Sequence, residues 1–404
     1  MNIKGNNMKG QKRFALALVG LGAAAALYPC IASAQIARPV ATTVPGVRAE
    51  VPFELFRENR IMLNGRIAGK DTAMILDSGA GVTVVDTDYA KTIGLKKGQQ
   101  IMAEGVGGKQ AAELVQDVTV EVGNLKLTGV TVAVIDLDAV EKAIGRPIPV
   151  ILGRELFMSS VVGIDFDREL LTLSPSKNFA APAGATQVKL KPDGTLHYFP
   201  ISVDGLAPVD AALDLGNGGA ISLSKEYHDS VPEIGKLPYA IGYGGGVGGL
   251  HETKRVTLPT VTIAGYTFGN VPADLGALKD GPYEDRANAG IQMFKPFYLT
   301  LDLGNDRMWL KPTGKAPVFT KDRAGVFAML EGDHLNVLHV SPGSPADRAG
   351  LKKGDKLTSI AGERVGPGFY SSAASNWSRE EIGREIVIVK SDGQTVKVTL
   401  ADYY

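Results

Sequence analysis

One cysteine, Cys30, stands in 404 residues. With a single thiol there is no disulfide framework within the chain and no thiolate metal site. Aromatic residues are sparse at 7%, and charge is balanced, 43 Lys+Arg against 43 Asp+Glu. That balance lacks the basic excess of a nucleic-acid binder. The longest apolar run, Phe14–Leu27, is 14 residues, short of the roughly 20 needed for a bilayer-spanning helix. No G-x-S-x-G or H-E-x-x-H pattern occurs, which removes the usual footholds for a serine hydrolase or a zinc peptidase. The five histidines are never three or four residues apart, so no helical metal pair is available and no metal or other cofactor is expected.

Glycine is abundant. It supplies 49 residues, about 12% where roughly 7% is usual. Combined with short β-branched runs, it predicts many tight turns between strands and a mainly β protein. Residues 1–34 read as an export signal. Lys9, Lys12 and Arg13 precede the apolar run, and Ala32-Ser33-Ala34 offers a small-residue cleavage site. Cleavage after Ala34 would remove Cys30 and leave a net charge of −4, so an exported, periplasmic protein without a membrane span is expected. A lipidated Cys30 is the alternative, disfavoured by the bulky Tyr28 and Pro29 before it.

The remainder contains an internal repeat at an offset of 137 residues. Ile75-Leu76-Asp77-Ser78-Gly79-Ala80-Gly81 falls on Ala212-Leu213-Asp214-Leu215-Gly216-Asn217-Gly218, and Gly105-Val106-Gly107-Gly108 falls on Gly242-Tyr243-Gly244-Gly245. Gly153, Phe157, Asp165 and Pro175 fall on Gly290, Phe294, Asp302 and Pro312. Each half reads as the same series of strands, with short helices near Thr87–Ile93, Leu137–Ile144, Glu155–Met158 and Ser224–Ser230. The expected organisation is a linker at 35–49, one lobe at 50–177, a second at 185–314 and a smaller unit at 315–402.

Asp77 and Asp214 each end an apolar strand and precede a sharp glycine turn. Alone, either could be an ordinary Asx turn. Duplicated and packed about a pseudo-two-fold axis, they can meet and share one proton, because like charges at close range do not both ionise. The neutral carboxyl can then polarise a carbonyl while its ionised partner activates water, which is the chemistry of peptide-bond hydrolysis.

Ile75–Ala80, the glycine hairpin at 105–108 and Val150-Ile151-Leu152-Gly153 resemble the motifs of retropepsin-like bacterial aspartic peptidases. The resemblance implies two acid-protease lobes with Asp77 and Asp214 as catalytic residues, supported by Ser78, Gly79, Leu215 and Gly216. It also implies flaps over a polypeptide substrate at Gly105, Gly107 and Gly108 and at Gly242, Tyr243, Gly244 and Gly245. Leu215 departs from the pattern, standing where the family has Thr or Ser, and Asn217 replaces a small residue. Two other readings follow from that departure: a non-catalytic peptide-binding protein, or lobe one acting as a homodimer. Gly244–Gly249 also fits G-x-G-x-x-G, but the segment after it reads as strand, which removes the dinucleotide reading.

The third unit resembles a PDZ domain through Val340-Ser341-Pro342-Gly343-Ser344-Pro345-Ala346 and Ala349-Gly350-Leu351-Lys352-Lys353-Gly354-Asp355. A peptide ligand is implied there, held near Gly325, Val326 and Phe327.

Overall fold

The computed structural model describes residues 40–43, 48–105, 108–278 and 286–404. The export signal, most of the linker and Gly107 lie outside the described residues.

In lobe one, Arg60–Ile67 turns back as Lys70–Leu76. The returning strand lies parallel to Val150–Leu152, which runs antiparallel to Val84–Asp86, itself parallel to Leu125–Ile135. Lobe two repeats this order. Val209–Asp214 lies parallel to Ala287–Gly290, which is antiparallel to Ile221–Ser224, itself parallel to Tyr266–Leu278. Even the register is kept, since Ile75 sits beside Ile151 and Ala212 beside Asn288. The central segments are almost wholly apolar because both their faces are covered.

Each lobe carries a long hairpin. Gln99–Gly105 pairs with Gly108–Val122, and Tyr239–Gly246 with Gly249–Ile263. This corrects the repeat. The tip matching Gly105–Gly108 is Gly246-Val247-Gly248-Gly249, an identical Gly-Val-Gly-Gly at an offset of 141, and Gly242–Gly245 belong to the strand leading up to it. The four extra residues enter after Ile221–Ser224. There two helices, Lys225–Ser230 and Pro232–Gly235, stand where lobe one has only Thr87–Thr92.

The closing hairpins of the halves join. Val161–Asp165 pairs with Phe297–Asp302, so a sheet ordered 186–189, 307–312, 297–302, 161–165, 170–174, 49–56 ties the lobes together. Asp302 is 1% exposed and receives Arg307 Nε at 2.9 Å and Ser176 Oγ at 2.9 Å, a bracing role within that sheet. One apolar core, including Phe157, Phe199, Phe294 and Phe297, runs through both lobes.

The third unit is a six-stranded sheet with Val326–Glu331 at its edge, followed by His334–Val340, Lys356–Ile360, Glu385–Lys390 and Thr395–Thr399, plus Glu363–Arg364. Its helix Pro345–Arg348 is capped by Ser344. A second apolar cluster passes from lobe one, at Ile135 and Ile144, into this unit at Leu335 and Ile388. The ring of Tyr370 lies so close to Gly145 that a Cβ there would come within 1.8 Å of it. The smaller unit is therefore seated on the lobes, each buried Leu or Ile in the seam contributing about 1.5–3 kcal/mol.

Candidate active site

Asp77 follows the strand Lys70–Leu76, and its N–H donates to the Leu152 carbonyl at 3.0 Å. The side chain curls back so that Oδ1 accepts from Gly79 N at 2.8 Å and Ala80 N at 3.1 Å. Asp214 occupies the same place in lobe two, with Oδ1 accepting from Asn217 N at 3.1 Å. Both residues do form Asx-like turns. The turns also bring the two carboxyls together.

The approach is reciprocal through the glycines. A Cβ on Gly79 would lie 2.7 Å from Asp214 Cγ, and one on Gly216 would lie 2.2 Å from Asp77 Cγ. Only glycine lets each carboxyl rest on the opposite turn. Asp77 is 0% exposed and Asp214 1%, and each carboxyl feels the other across the glycine turns. Burial holds Asp77 well above the usual carboxylate range, and the charge of Asp214 adds to the effect. Burial also raises Asp214, opposed by hydrogen bonds from Asn288 and Asn217 N. Asp77 Oδ2 has no N–H or hydroxyl donor among the described residues, whereas Asp214 Oδ2 receives Asn288 Nδ2 at 2.9 Å. The proton shared by the pair therefore rests on Asp77, and the charge on Asp214.

The cross-brace between the turns is one-sided. Ser78 Oγ donates to the Leu213 carbonyl at 3.1 Å and accepts from Leu215 N at 3.0 Å. Leu215 cannot return the bond; its side chain is 0% exposed and belongs to the common core. Lobe two is braced by amides instead. Asn217 Nδ2 donates to Asn288 Oδ1 at 2.7 Å, and Asn217 Oδ1 accepts from Gly219 N at 2.8 Å. Asn288 was not among the candidate residues read from the sequence. Its signal was a polar amide in Ala287-Asn288-Ala289-Gly290, where the first half has the apolar Val150-Ile151-Leu152-Gly153.

Two further buried groups flank the turns. Glu155 is 7% exposed and accepts from Thr83 N at 3.0 Å and Thr83 Oγ1 at 2.9 Å, while Thr83 Oγ1 receives Gly153 N at 3.2 Å. Burial pushes its carboxyl up to about 7. Arg60, 2% exposed, extends the hairpin register of Arg60–Ile67 with Lys70–Leu76 to a place opposite Asp77. Its guanidinium fills the space beside Gly218, where a Cβ would clash with Nη1.

The hairpin tips touch. A Cβ on Gly105 would meet the Val247 carbonyl at 2.4 Å, and Val247 is 1% exposed. Gly248 N donates to Gln110 Oε1 at 3.3 Å. The second hairpin overlies the loop after Asp214, with a cavity of about 110 Å³ between Gly244, His251 and Thr253 on one side and Asn217–Ser222 on the other. Neither Asp77 nor Asp214 lines this space. Tyr243 also reaches the cavity, but its ring stacks on Phe327 at 5.2 Å and leans on His339 at 5.2 Å. Phe327, expected to meet a peptide, thus packs against the second hairpin. Gly325 takes φ +82° and its N–H is engaged by Asp322 Oδ2 at 3.2 Å. Val326 begins the edge strand.

Among the described residues, no group of three or more His, Cys, Asp or Glu is placed to hold a metal ion, and no helix is long and apolar enough to cross a membrane. In comparison with known families, residues 63–156 match the aspartyl protease model and residues 337–372 the PDZ domain model. No curated protein matches the chain. The protein is mainly β, with a domain similar to retropepsin-like aspartyl proteases followed by a PDZ domain.

Proposed function

We propose that the chain is an exported, periplasmic aspartic endopeptidase in which Asp77 and Asp214 form one intramolecular dyad and the PDZ domain binds polypeptide. The observation that carries this reading is the pair of buried carboxyls, each seated on the other lobe's glycine. Because both acids come from one chain, a homodimer of lobe one is not needed to complete the site. The amides around Asp214 argue for a rebuilt second turn and against a relic one.

In the proposed reaction the peptide lies extended between the lobes, and the two hairpins part to admit it. Water sits between the carboxyls. Asp214 takes a proton from it as its oxygen bonds to the scissile carbonyl carbon, while Asp77 gives its proton to the carbonyl oxygen. Asp214 then delivers the acquired proton to the departing amine as the C–N bond breaks, and Asp77 recovers its own from the collapsing diol. Ser78 and Asn288 fix the two carboxyls; Gly79 and Gly216 let them approach.

Digestion of a denatured protein across pH 3–8 tests the reading. The expected result is cleavage with a bell-shaped pH dependence, abolished in both Asp77→Asn and Asp214→Asn. Cleavage that survives both substitutions would overturn the assignment. Loss in Asp77→Asn alone would transfer the activity to a dimer of lobe one.

A further inference from the structure

Four cations around the cleft have no ion-pair partner among the described residues: Arg57, Arg60, Lys295 and Arg379. Three of them are spent on consecutive carbonyls of one loop. Arg379 Nη1 donates to Arg57 O at 3.3 Å, Lys295 Nζ to Glu58 O at 3.2 Å, and Arg60 Nη1 to Asn59 O at 2.7 Å. Arg57 lies over the Tyr370 ring at 4.5 Å and makes only a long contact, 3.4 Å, to Ile144 O. Arg57 Nε and Arg60 Nε are buried without any acceptor. Burial pulls Arg60 down to about 9 and Arg57 to about 10, and repulsion from Arg379 adds to both. Arg60 is buried and feels the charges of Asp214 and Asp77, while Arg57, Lys295 and Arg379 are half-buried with no carboxylate in contact among the described residues. Like charges gathered in this way are costly, and the usual remedy is an anion.

The acids within the molecule are committed elsewhere. Asp322 accepts from Ala324 N, Gly325 N and Tyr403 OH, and Asp274 is paired with Arg255 at 3.1 Å. Glu58 is exposed, and the dyad holds its charge for catalysis. Arg379 lines the 110 Å³ cavity beside the dyad loop and also a second cavity of about 140 Å³. The second cavity is bounded by Arg57, the base of hairpin two and the PDZ edge strand near Phe327. A chain running from the dyad toward the PDZ groove would pass this guanidinium.

We propose that Arg379 and Arg57 form a carboxylate-binding subsite for the peptide substrate, so that the enzyme selects peptides with an acidic group a few residues from the cleaved bond. This rests on the peptidase reading for its setting and on the unpaired cations for its chemistry. A hydrogen bond to a charged group is roughly twice as strong as one to a neutral acceptor such as the Gln amide, so a Glu peptide should be favoured over its Gln counterpart by about 10-fold.

The first measurement is the residue pattern around bonds cut by the wild-type protein in a proteome-derived peptide library, followed by matched Glu/Gln peptides with free or amidated C-termini. Enrichment of Glu and Asp that survives amidation identifies a side-chain carboxylate; a preference lost on amidation identifies the chain terminus. Both support the subsite. Arg379→Gln and Arg57→Gln should bring the Glu/Gln ratio toward one, with Arg379→Lys retaining part of it and melting curves verifying that each variant is folded. Equal use by the wild type of Glu, Gln and C-terminally amidated peptides, or preferences unchanged in both Gln variants, overturns the proposal while leaving the peptidase reading intact. Titration of the Asp77→Asn protein with the same peptides reads binding without catalysis. If no peptide is cut but Glu peptides still bind more tightly, the subsite stands and the peptidase reading falls.

Discussion

The two Asp turns share a backbone and differ in what holds their carboxyls. Asp77 has two backbone N–H groups on one oxygen and, among the described residues, no N–H or hydroxyl donor for the other. Asp214 has a backbone N–H on one oxygen and the Asn288 amide on the other. A duplicated fold supplied two equivalent acids, and the amide pair Asn217–Asn288 made them inequivalent. The difference decides which carboxyl keeps the proton, because donors stabilise the charged form and an undonated buried oxygen favours the neutral one.

The largest expected effects come from the acids themselves. Asp77→Asn and Asp214→Asn should each lower kcat by about 10⁴-fold or more, a scale typical of losing a group that touches the reacting atoms. The stability effect has its own sign. Both carboxyls are raised in the folded protein, so the fold binds their proton more tightly than the unfolded chain does. Stability is then lost as pH rises from the ordinary carboxyl range through the dyad's raised range. Asn cannot ionise, so Asp77→Asn should melt higher than wild type at pH 7 and equally at pH 3. A lower Tm at pH 7 would mean that burial does not burden this carboxyl.

Asn288→Ala ranks next and addresses the asymmetry directly. It removes a hydrogen bond to the ionised partner, of the order of 1.5–3 kcal/mol, which implies a loss of about 10–100-fold in kcat/KM. Without that donor Asp214 holds its proton to higher pH, so the acidic limb of the pH profile should move upward. An unshifted limb would show that Asn288 does not set the charge on Asp214.

Much of this comparison was legible before any coordinates. Asp-X-Gly twice at one offset, each after an apolar strand, is printed in the chain; Asn288 is printed there too, but its role as a donor to Asp214 is visible only in the fold. The shift of 141 was legible in the returning strand, where Val120-Glu121-Val122-Gly123 matches Val261-Thr262-Ile263-Ala264, but not at the hairpin tip, since six glycines in the eight residues 242–249 make a shift of 137 look as good there. Side-chain periodicity normally fixes register, and glycine carries none. The pairing of Val161–Asp165 with Phe297–Asp302, the stacking of Tyr243 on Phe327 and the unpaired Arg60 were equally hidden. Each depends on segments far apart in sequence meeting at a seam, and local pattern says nothing about what lies across it.

The one-sided cross-brace offers a smaller effect. Ser78→Ala would leave Leu215 N–H buried without an acceptor, a cost of about 1–3 kcal/mol visible in Tm and urea midpoint. Leu215→Thr, which restores the hydroxyl found in the first lobe, should not raise kcat. Leu215 is packed in the core, and a hydroxyl there is desolvated while apolar contact is lost. A gain in kcat would show instead that the second turn is a weakened copy whose missing bond limits the enzyme.

The smallest expected effect separates the lobes by pH alone. Glu155 holds Thr83 in lobe one, and at the same offset of 137 lobe two has Gln292, which ties Gly218 O at 3.0 Å and Thr320 N at 2.8 Å. The carboxyl of Glu155 is pushed up to about 7 by burial, from an ordinary 4.5. A raised acid is bound to its proton more firmly in the fold, so its contribution is complete below pH 4.5 and is lost as pH rises toward 7. Gln292 carries no such liability. Glu155→Gln should therefore leave Tm unchanged near pH 4 and raise it near pH 8, flattening the slope between, because an amide oxygen can still accept from Thr83. If the slope persists in the variant, the alkaline softening of lobe one originates in the dyad, and the clamp beneath it is pH-neutral in both lobes.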